Sequence, residues 1–265
     1  MDKLRGLKTL WIQVRYLFDT LQNKGLWYNP HMIQNLQQTV KLVSQTLPSD
    51  ELLEQGIEDI QELIAFCARV SNPSNQLNTE TTDKLIGYLI KHKHWSPLEM
   101  ATVCLEINTP RDIARQILRH RSFSFQEFSQ RYADPTKDLS FSIREPRLQD
   151  TKNRQASNTT DDIALVYEWS QRQANVIALV NENYKWAIQN GIAKECARVI
   201  LPEGNTMSKM YMIGSLRSWI HYIEIRSGVE TQKEHREIAL LAAQEIAKVF
   251  PMIQQFIKKE NNEAR

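Results

Sequence analysis

The stretch LRHRSFSFQEFSQRY, residues 118–132, gathers cationic, hydroxyl and aromatic side chains in one short segment. It places Arg119, His120 and Arg121 in a row, and Ser129 and Arg131 follow among phenylalanines. The whole chain carries 33 Lys and Arg against 31 Asp and Glu, so global charge does not account for this cluster. Planar guanidinium groups and hydroxyls are good donors to phosphate oxygens. We therefore expect the segment to hold an anionic ligand.

The regions on either side of this segment predict an α+β domain. Val103, Leu105 and Ile107 alternate with Cys104 and Glu106, which is the period of a strand buried on one face. The sequence also predicts strands at 139–143 and 206–213, and a polar loop at 144–160. Apolar residues at helical spacing predict helices at 57–70, 83–93, 110–118, 161–190, 193–200, 216–226 and 232–249. Strands dispersed among more numerous helices are typical of α+β folds.

The first fifty residues predict a helical hairpin outside the main domain. An apolar stripe with steps of three and four begins at Leu4 and ends near Gly25. Asn29-Pro30 is a good helix start, and the same spacing continues from there to Pro48. We accordingly predict a helical hairpin over residues 1–50, a main domain over 51–255 and a frayed tail over 256–265.

Composition excludes several classes of protein. With 42% hydrophobic and 24% charged residues, the chain is typical of a folded globular protein. Cys67, Cys104 and Cys196 form no CxxC motif, so we predict buried, reduced thiols. His92 and His94 have no acidic or cysteine partner at ligand spacing, so we predict no metal. No apolar run approaches the roughly 20 residues of a membrane helix, and we expect a cytoplasmic protein.

Three arginines of the helix that precedes the cluster step by four residues. Like charges at this spacing repel by a few tenths of a kcal/mol per pair, about 0.2–0.5 kcal/mol. We expect Arg111 and Arg115 to lie on a solvated face and to pair with nearby acids. Arg119 is followed directly by two more cationic residues, so we expect it to belong to the anion site.

Further cations lie a hundred residues downstream. Arg198 follows Glu195 on one helical turn, and Arg217 and His221 are four apart on one helix face. Arg226 lies at the far end of that helix. A single phosphate cannot span such an extended set. The set suits a ligand with several anionic groups, two ligands, or a site between subunits.

Four ordered motifs resemble the flavin-dependent thymidylate synthases. Arg119-His120-Arg121 followed by Ser129 is similar to the signature of that family, and the upstream segment His94 to Glu99 is similar to a second family motif. Glu195-Cys196-Ala197-Arg198 and the series Arg217, His221, Arg226 follow in the family order. The resemblance covers roughly residues 60 to 250. It implies mixed helices around a small antiparallel sheet.

The resemblance implies a role for each matching residue. FAD would be held by His94, Ser96, Arg119, His120, Arg121, Glu127, Arg217 and His221. The substrate dUMP would be held by Gln116, Arg119, Glu127, Phe128, Ser129, Gln130, Arg131, Arg198 and Arg226. Arg226 would be catalytic, because it would lie against the uracil ring and favour ionisation at ring nitrogen N3. Ser129 would be a hydrogen-bond donor to dUMP and not a nucleophile.

The family reaction gives further expectations. It converts dUMP to dTMP with carbon from methylenetetrahydrofolate and a hydride from FAD that NADPH has reduced. No cysteine nucleophile is needed. The family resemblance also implies a homotetramer whose active sites use residues from several chains. The sequence departs from the family pattern at Met100, often histidine, at Gln130, often glycine, and at Ser215, often asparagine.

Two other functions fit part of the pattern. Aromatic residues interleaved with arginines also suit single-stranded nucleic acid, but that function predicts a continuous basic surface. The near-neutral total charge and the interleaved Glu127 disfavour such a surface. A flavin-binding protein without turnover would keep the same motifs. We expect dUMP and other copies of this chain as partners, and neither nucleic acid nor membrane.

Overall fold

The computed structural model describes residues 38–258, and its centre is a four-stranded antiparallel sheet. The strands are β1 Thr39–Gln45, β2 Thr102–Pro110, β3 Ser124–Glu127 and β6 Met207–Ser215, in the order β1-β2-β6-β3. A separate hairpin pairs β4 Arg147–Gln149 with β5 Ser157–Thr159. The predicted α+β class with a small antiparallel sheet is confirmed.

The described part of the chain contains nine α-helices. They are α1 Asp50–Glu54, α2 Ile60–Ala68, α3 Thr82–Lys91, α4 Arg111–Ile117, α5 Pro135–Asp138, α6 Ile163–Gln189, α7 Lys194–Ala197, α8 Leu216–Arg226 and α9 Lys233–Ala247. Short 3-10 helices span Pro73–Asn75, Ser96–Glu99, Arg198–Ile200 and Pro251–Phe256.

The main core lies between the sheet and helices α8 and α9. Val103, Leu105 and Ile107 are fully buried on one face of β2, as their alternation predicts. The buried Trp219 of α8 packs in the same core, and its indole N–H donates to the Val103 carbonyl oxygen at 3.0 Å. This bond satisfies the one polar atom of a large side chain, so Trp219 fixes α8 on the sheet.

A smaller core lies beneath the long helix α6. Tyr184 of α6 is fully buried there and packs with Phe141 and Leu201. The sequence predicts α6 correctly, with Asp162 as its N-cap and Gly191, at φ 77°, just beyond its end. Helix α6 therefore packs in the smaller core and not against the main sheet.

Residues 39–45 contradict the predicted second helix of the N-terminal hairpin. They form the edge strand β1, with Leu42 paired to Leu105. The apolar stripe at helical spacing is not buried, because Val43 is 51% and Leu47 is 63% exposed. The β-branched Thr39 and Val40 suit a strand, and the open edge of β2 supplies its hydrogen bonds. The predicted first helix, and most of the tail, lie outside the described residues.

Two further predictions in the middle of the chain are wrong. Residues 139–143 alternate like a strand, but only an isolated bridge between Phe141 and Thr206 forms there. Residues 144–160 contain the β4–β5 hairpin and are not simply a loop. The hairpin strands carry mainly polar side chains, so hydrophobic alternation gives no signal for them. Cys196 is exposed, whereas Cys67 and Cys104 are half-buried, so burial of all three thiols is also wrong.

Gly214 tests how tightly α8 and the cluster segment pack on β6. A Cβ at this position would lie 2.4 Å from the Phe123 ring, which packs edge-on against Trp219. We expect Gly214→Ala to lower the free energy of unfolding by about 1–3 kcal/mol, because the buried ring has to move. Chemical denaturation measures this loss. Gly204→Ala is the control, since its new Cβ would meet nothing closer than 4.0 Å; equal stabilities of the two variants would contradict the prediction.

Candidate functional site

The cluster turn, which follows α4 and contains His120, Arg121 and Ser122, is connected to the end of helix α8 by one hydrogen bond. Arg226 Nε donates to His120 Nε2 at 3.1 Å, although the two residues lie far apart in sequence. Burial, then the positive charges of Arg226, His221 and Arg119, lower the pKa of His120 to about 4. His120 is therefore neutral at neutral pH, and its Nε2 lone pair is free to accept the Arg226 proton.

The arginines of the predicted site divide into two groups. Arg119, Arg121, Arg198 and Arg226 have no carboxylate within 4.0 Å among residues 38–258. The paired group comprises Arg111, Arg115, Arg131 and Arg217. A guanidinium group without a carboxylate partner has no local counter-charge and is available to pair with an external anion. The first group therefore marks where the protein is able to bind one.

Glu127 on β3 is the carboxylate that neutralises the start of α4. It forms ion pairs with Arg111, at 3.6 Å, and with Arg115, and it accepts a hydrogen bond from Ser208 Oγ at 2.7 Å. The expected pairing of Arg111 and Arg115 with acids is confirmed, but the expected solvated face is wrong for Arg111, whose side chain is only 12% exposed. These contacts fix the Glu127 side chain at the predicted site.

A pocket of about 590 Å³ lies beside the cluster. It is lined by Lys93, Trp95, Glu99, Ser122, Arg217, Ser218, Ile220, His221 and Glu224. Two predicted flavin-binding residues, Arg217 and His221, thus share one cavity, and Arg217 pairs with Glu99 across it. Ser96 lies on the 3-10 turn that contributes Glu99, and Arg121 precedes Ser122 in the cluster turn.

Predicted substrate-binding residues line a second pocket of about 400 Å³. Its lining consists of Ser129, Arg131, Tyr132, Ala193, Lys194 and Glu195. Arg131 pairs with Glu195 at 3.2 Å, and Lys194 donates to the Tyr132 carbonyl oxygen at 2.9 Å. Neither pocket contains both Arg131 and Arg217. The described part of one chain therefore does not gather all predicted residues in one cavity.

The remaining predicted residues have local structural contacts. The Phe128 amide donates to the Lys209 carbonyl oxygen at 2.9 Å, which extends the pairing of β3 with β6. Gln130 is buried and its Nε2 has no partner among the described residues. His94 is exposed after α3, with its ring 6.0 Å from that of Tyr88. Its position leaves the ring accessible to a ligand.

Two departures from the family pattern are also visible. Ser215 caps α8, because its side chain accepts a hydrogen bond from the Ser218 amide at 3.3 Å. Met100 is 54% exposed at the end of the 3-10 turn. Serine at position 215 thus has a structural role at the helix start, irrespective of any ligand.

Sequence reasoning missed three residues around the cluster. Tyr222 packs edge-on against the His120 ring, with centroids 4.9 Å apart, and His235 lies 6.1 Å from the same ring. Gln232 accepts a hydrogen bond from the predicted substrate residue Gln116 at 2.8 Å. The one signal in the sequence was His235, which occupies a position on the buried face of α9 where an apolar residue is usual.

No group of three or more His, Cys, Asp or Glu residues in positions 38–258 is arranged to hold a metal ion. Over the same residues, no helix is both long enough and apolar enough to cross a membrane. Burial raises the pKa of the Cys67 thiol, and burial outweighs a hydrogen bond from Ser44 to raise that of Cys104. Neither thiol has the lowered pKa of an activated nucleophile.

Comparison with known proteins defines the class of enzyme. Residues 51–252 match the family model described as thymidylate synthase complementing protein. Over 215 residues the chain is 46% identical to a probable flavin-dependent thymidylate synthase of Paramecium bursaria Chlorella virus 1 and 49% identical to the flavin-dependent thymidylate synthase of Synechocystis sp.. Each alignment covers 81% of this chain and 96% of the relative.

A solved structure shows the same fold at lower identity. It is the UMP/dUMP methylase PolB from Streptomyces cacaoi bound with 5-Br dUMP, with a TM-score of 0.68 and 24% identity. The superposition covers 84% of this chain and 95% of that chain. The family match and the two relatives define an enzyme of thymidylate synthesis. Within that class, the chain belongs to the flavin-dependent thymidylate synthases, and its cofactor is a flavin.

The neutral histidines predict how stability depends on pH. Burial, followed by the charges of Arg226 and His120, lowers the pKa of His235 to about 3. Below the ordinary pKa of 6.5, unfolded His120 and His235 take up protons that the folded protein does not bind. Each histidine then lowers the free energy of unfolding by up to about 1.4 kcal/mol per pH unit. We expect stability to fall from pH 7 to about pH 5.

Urea denaturation at several pH values measures this slope. His235→Leu is expected to have a shallower slope over the same range, because one of the two protonating groups is gone. Carboxylates with lowered pKa, such as Glu234, affect the slope only below about 4.5, their ordinary value. A flat profile from pH 7 to about pH 5 in the original protein would contradict the prediction.

Proposed function

We propose that this protein converts dUMP to dTMP by reductive methylation, with Arg226 as the catalytic residue. Family membership gives the reaction class, and the hydrogen bond from Arg226 to His120 carries the residue assignment. This bond uses the Nε proton, so the terminal N–H groups of the guanidinium remain for a ligand. They are donors of the kind that an ionised uracil ring requires at ring nitrogen N3 and its carbonyl oxygens.

The fixed position of Arg226 supplies electrostatic stabilisation. Negative charge develops on the uracil ring as it reacts, and a guanidinium held beforehand stabilises that charge without reorganisation. Its effect is larger where water is excluded. His120 holds Arg226 and, because it is neutral at neutral pH, does not repel the guanidinium.

The phosphate of dUMP needs cations and hydroxyl donors. Arg119 and Arg198 have no carboxylate partner among the described residues, and Ser129 and Arg131 line the smaller pocket. We assign these four residues to the nucleotide, together with Gln116, Glu127, Phe128, Gln130 and Arg226. An incoming phosphate would compete with Glu195 for Arg131, because the pair is exposed and therefore weak.

The larger pocket fits a flavin dinucleotide. Lys93 supplies a cation for a diphosphate, which would compete with Glu99 for Arg217; His221 supplies a hydrogen-bonding ring, and Trp95 and Ile220 supply apolar surface for rings. We propose FAD as the flavin, held by these residues with His94, Ser96, Arg119, His120, Arg121 and Glu127. When bound, FAD that NADPH has reduced would supply the hydride, and methylenetetrahydrofolate would supply the carbon. Protein side chains bind and orient these molecules.

Substitution of Arg226 tests the catalytic assignment. We expect Arg226→Ala to lower the rate of tritium release from dUMP labelled at ring carbon 5 by about 10²–10³-fold, the typical loss for one transition-state donor. Flavin absorbance should remain, because Arg226 does not line the larger pocket. The assay contains FAD, NADPH and methylenetetrahydrofolate.

Arg154→Ala is the matched control, because Arg154 is an exposed arginine between β4 and β5 and is not among the predicted site residues. It should keep the original rate. Normal tritium release in Arg226→Ala would remove Arg226 from the mechanism. Absence of release from the original, flavin-loaded protein would contradict the proposed reaction itself.

A homotetramer with shared sites would explain the divided pockets. On α6, Val176, Leu179 and Trp186 are 47%, 59% and 58% exposed at helical spacing, which is an apolar face that no other part of residues 38–258 covers. We propose that copies of this chain cover the face and complete the active site. We also propose that the enzyme acts in the cytoplasm.

Leu179→Asp tests the assembly. We expect the original protein to have a mass near four times 30.9 kDa by light scattering. Leu179→Asp should reduce that mass and abolish turnover while circular dichroism shows a folded chain, because a charge cannot be buried in an apolar interface. Glu182→Ala, an exposed change on the same helix, should keep both mass and turnover. A monomeric original protein with full turnover would contradict the shared site.

A further inference from the structure

A chain of buried and partly buried hydrogen bonds connects His235 to the predicted nucleotide site. His235 is fully buried on α9. Its Nδ1 lies 3.2 Å from Gln116 Oε1, and its Nε2 lies 3.1 Å from the hydroxyl of Tyr222 on α8. Gln116 in turn donates from Nε2 to Gln232 Oε1 at 2.8 Å. Gln232 donates from Nε2 to the Glu234 carboxylate at 3.0 Å.

The Glu234 carboxylate determines the direction of every bond. A carboxylate only accepts, so Gln232 presents its NH₂ group to Glu234 and its carbonyl oxygen to Gln116. Gln116 must then donate to Gln232 and turn its own oxygen toward His235. His235 therefore carries its proton on Nδ1, and its Nε2 accepts from the Tyr222 hydroxyl. One arrangement of protons satisfies all four bonds.

Charges at both ends support this arrangement. Arg147 contacts Glu234 at 2.7 Å and Arg144 at 3.5 Å. Although burial opposes it, the positive charge of Arg144, and then Arg147, lowers the pKa of Glu234, so the acceptor stays ionised. At the other end, Arg226 and His120 are the charged or titratable groups that lower the pKa of His235. Burial and these two groups favour a neutral His235.

Two predicted nucleotide-binding residues depend on this network. Gln116 is held by His235 and Gln232 together. Arg226 is held by His120, whose ring packs edge-on against Tyr222. Because Tyr222 also bonds to His235, the same imidazole supports both residues.

We propose that His235 is a positioning residue, which fixes Gln116 directly and Arg226 through Tyr222 and His120, so that both are ready to bind the nucleotide. This inference rests on the proposed function, since Gln116 and Arg226 are assigned to dUMP there. His235 touches neither substrate nor flavin in this scheme. It acts through the geometry of its neighbours.

Two substitutions at position 235 separate positioning from packing. His235→Leu removes both hydrogen bonds and keeps an apolar group of similar reach. His235→Asn places an amide N–H near the position of Nδ1, so it retains the bond to Gln116. For the flavin-loaded protein, we expect His235→Leu to raise the dissociation constant and the KM for dUMP about three- to tenfold, with a smaller change in kcat. Asn keeps the bond to Gln116 and loses only the bond to Tyr222, so it should raise both values about two- to threefold, clearly less than Leu.

Tyr222→Phe gives an independent test if His235→Leu does not fold. It keeps the ring contact with His120 and removes only the donor to His235 Nε2. We expect dUMP affinity to fall about two- to threefold. Nitrogen-15 NMR of labelled histidines reports the tautomer without any substrate. It should show His235 as neutral with the proton on Nδ1 both in the original protein and in Tyr222→Phe, because the oxygen of Gln116 still requires a donor there.

The outcomes distinguish this inference from the proposed function. Calorimetric titration with dUMP that shows equal affinity for the original, Leu and Tyr222→Phe proteins overturns the positioning role alone. A proton on His235 Nε2 overturns it as well. An original, flavin-loaded protein that does not bind dUMP overturns the proposed function and this inference with it. Loss of affinity in Leu with rescue in Asn supports both.

Discussion

The pairing of β2 with β6 is the constraint on which the site depends. Thr102 pairs with Ser215 and Pro110 pairs with Met207, so the two strands match along their whole length. Helix α4 leaves the end of β2 and helix α8 leaves the end of β6, which are opposite ends of the pair. The bond between Arg226 and His120 shows that the far ends of these helices meet. Residues a hundred positions apart thus converge because one strand register fixes both helices.

Convergence of cations has an electrostatic cost that a bound anion relieves. Arg119, Arg121 and Arg226 lie on or beside the cluster with no carboxylate among the described residues to compensate them. Burial and these charges keep His120 and His235 neutral, so the imidazoles add no further repulsion. A ligand that binds only the folded protein stabilises it by mass action. Under the proposed assignment of these guanidinium groups to the nucleotide, folding stability and nucleotide binding are coupled through them.

Sequence patterns predicted the parts of the fold where burial is one-sided and local. The alternation in β2 and the long α6, with its end before Gly191, are examples. The helix prediction for residues 39–45 was wrong because the spacing of their apolar residues fits a helix and a strand alike. Only the free edge of β2, with which they pair, decides for the strand. Motif resemblance supplied the proposed site residues, whereas it gave no signal for Tyr222, His235 and Gln232. Their importance arises from contacts between α4, α8 and α9 that spacing within one helix cannot show.

The hydrogen-bond chain connects the β4–β5 hairpin region to the predicted nucleotide site. Arg144 and Arg147 belong to the segment that polar composition marks as a loop, yet they hold Glu234, the acceptor at the end of the chain. Arg144 also pairs with Asp112 at 2.9 Å, at the start of α4. Both ends of the helix that carries Gln116 are therefore tied to one ionic network. A relay with a single proton arrangement is rigid, because a rotated amide of Gln116 or Gln232 would break its bond to His235 or to Glu234. The segment of weakest sequence signal thus helps to orient the residue that we assign to the nucleotide.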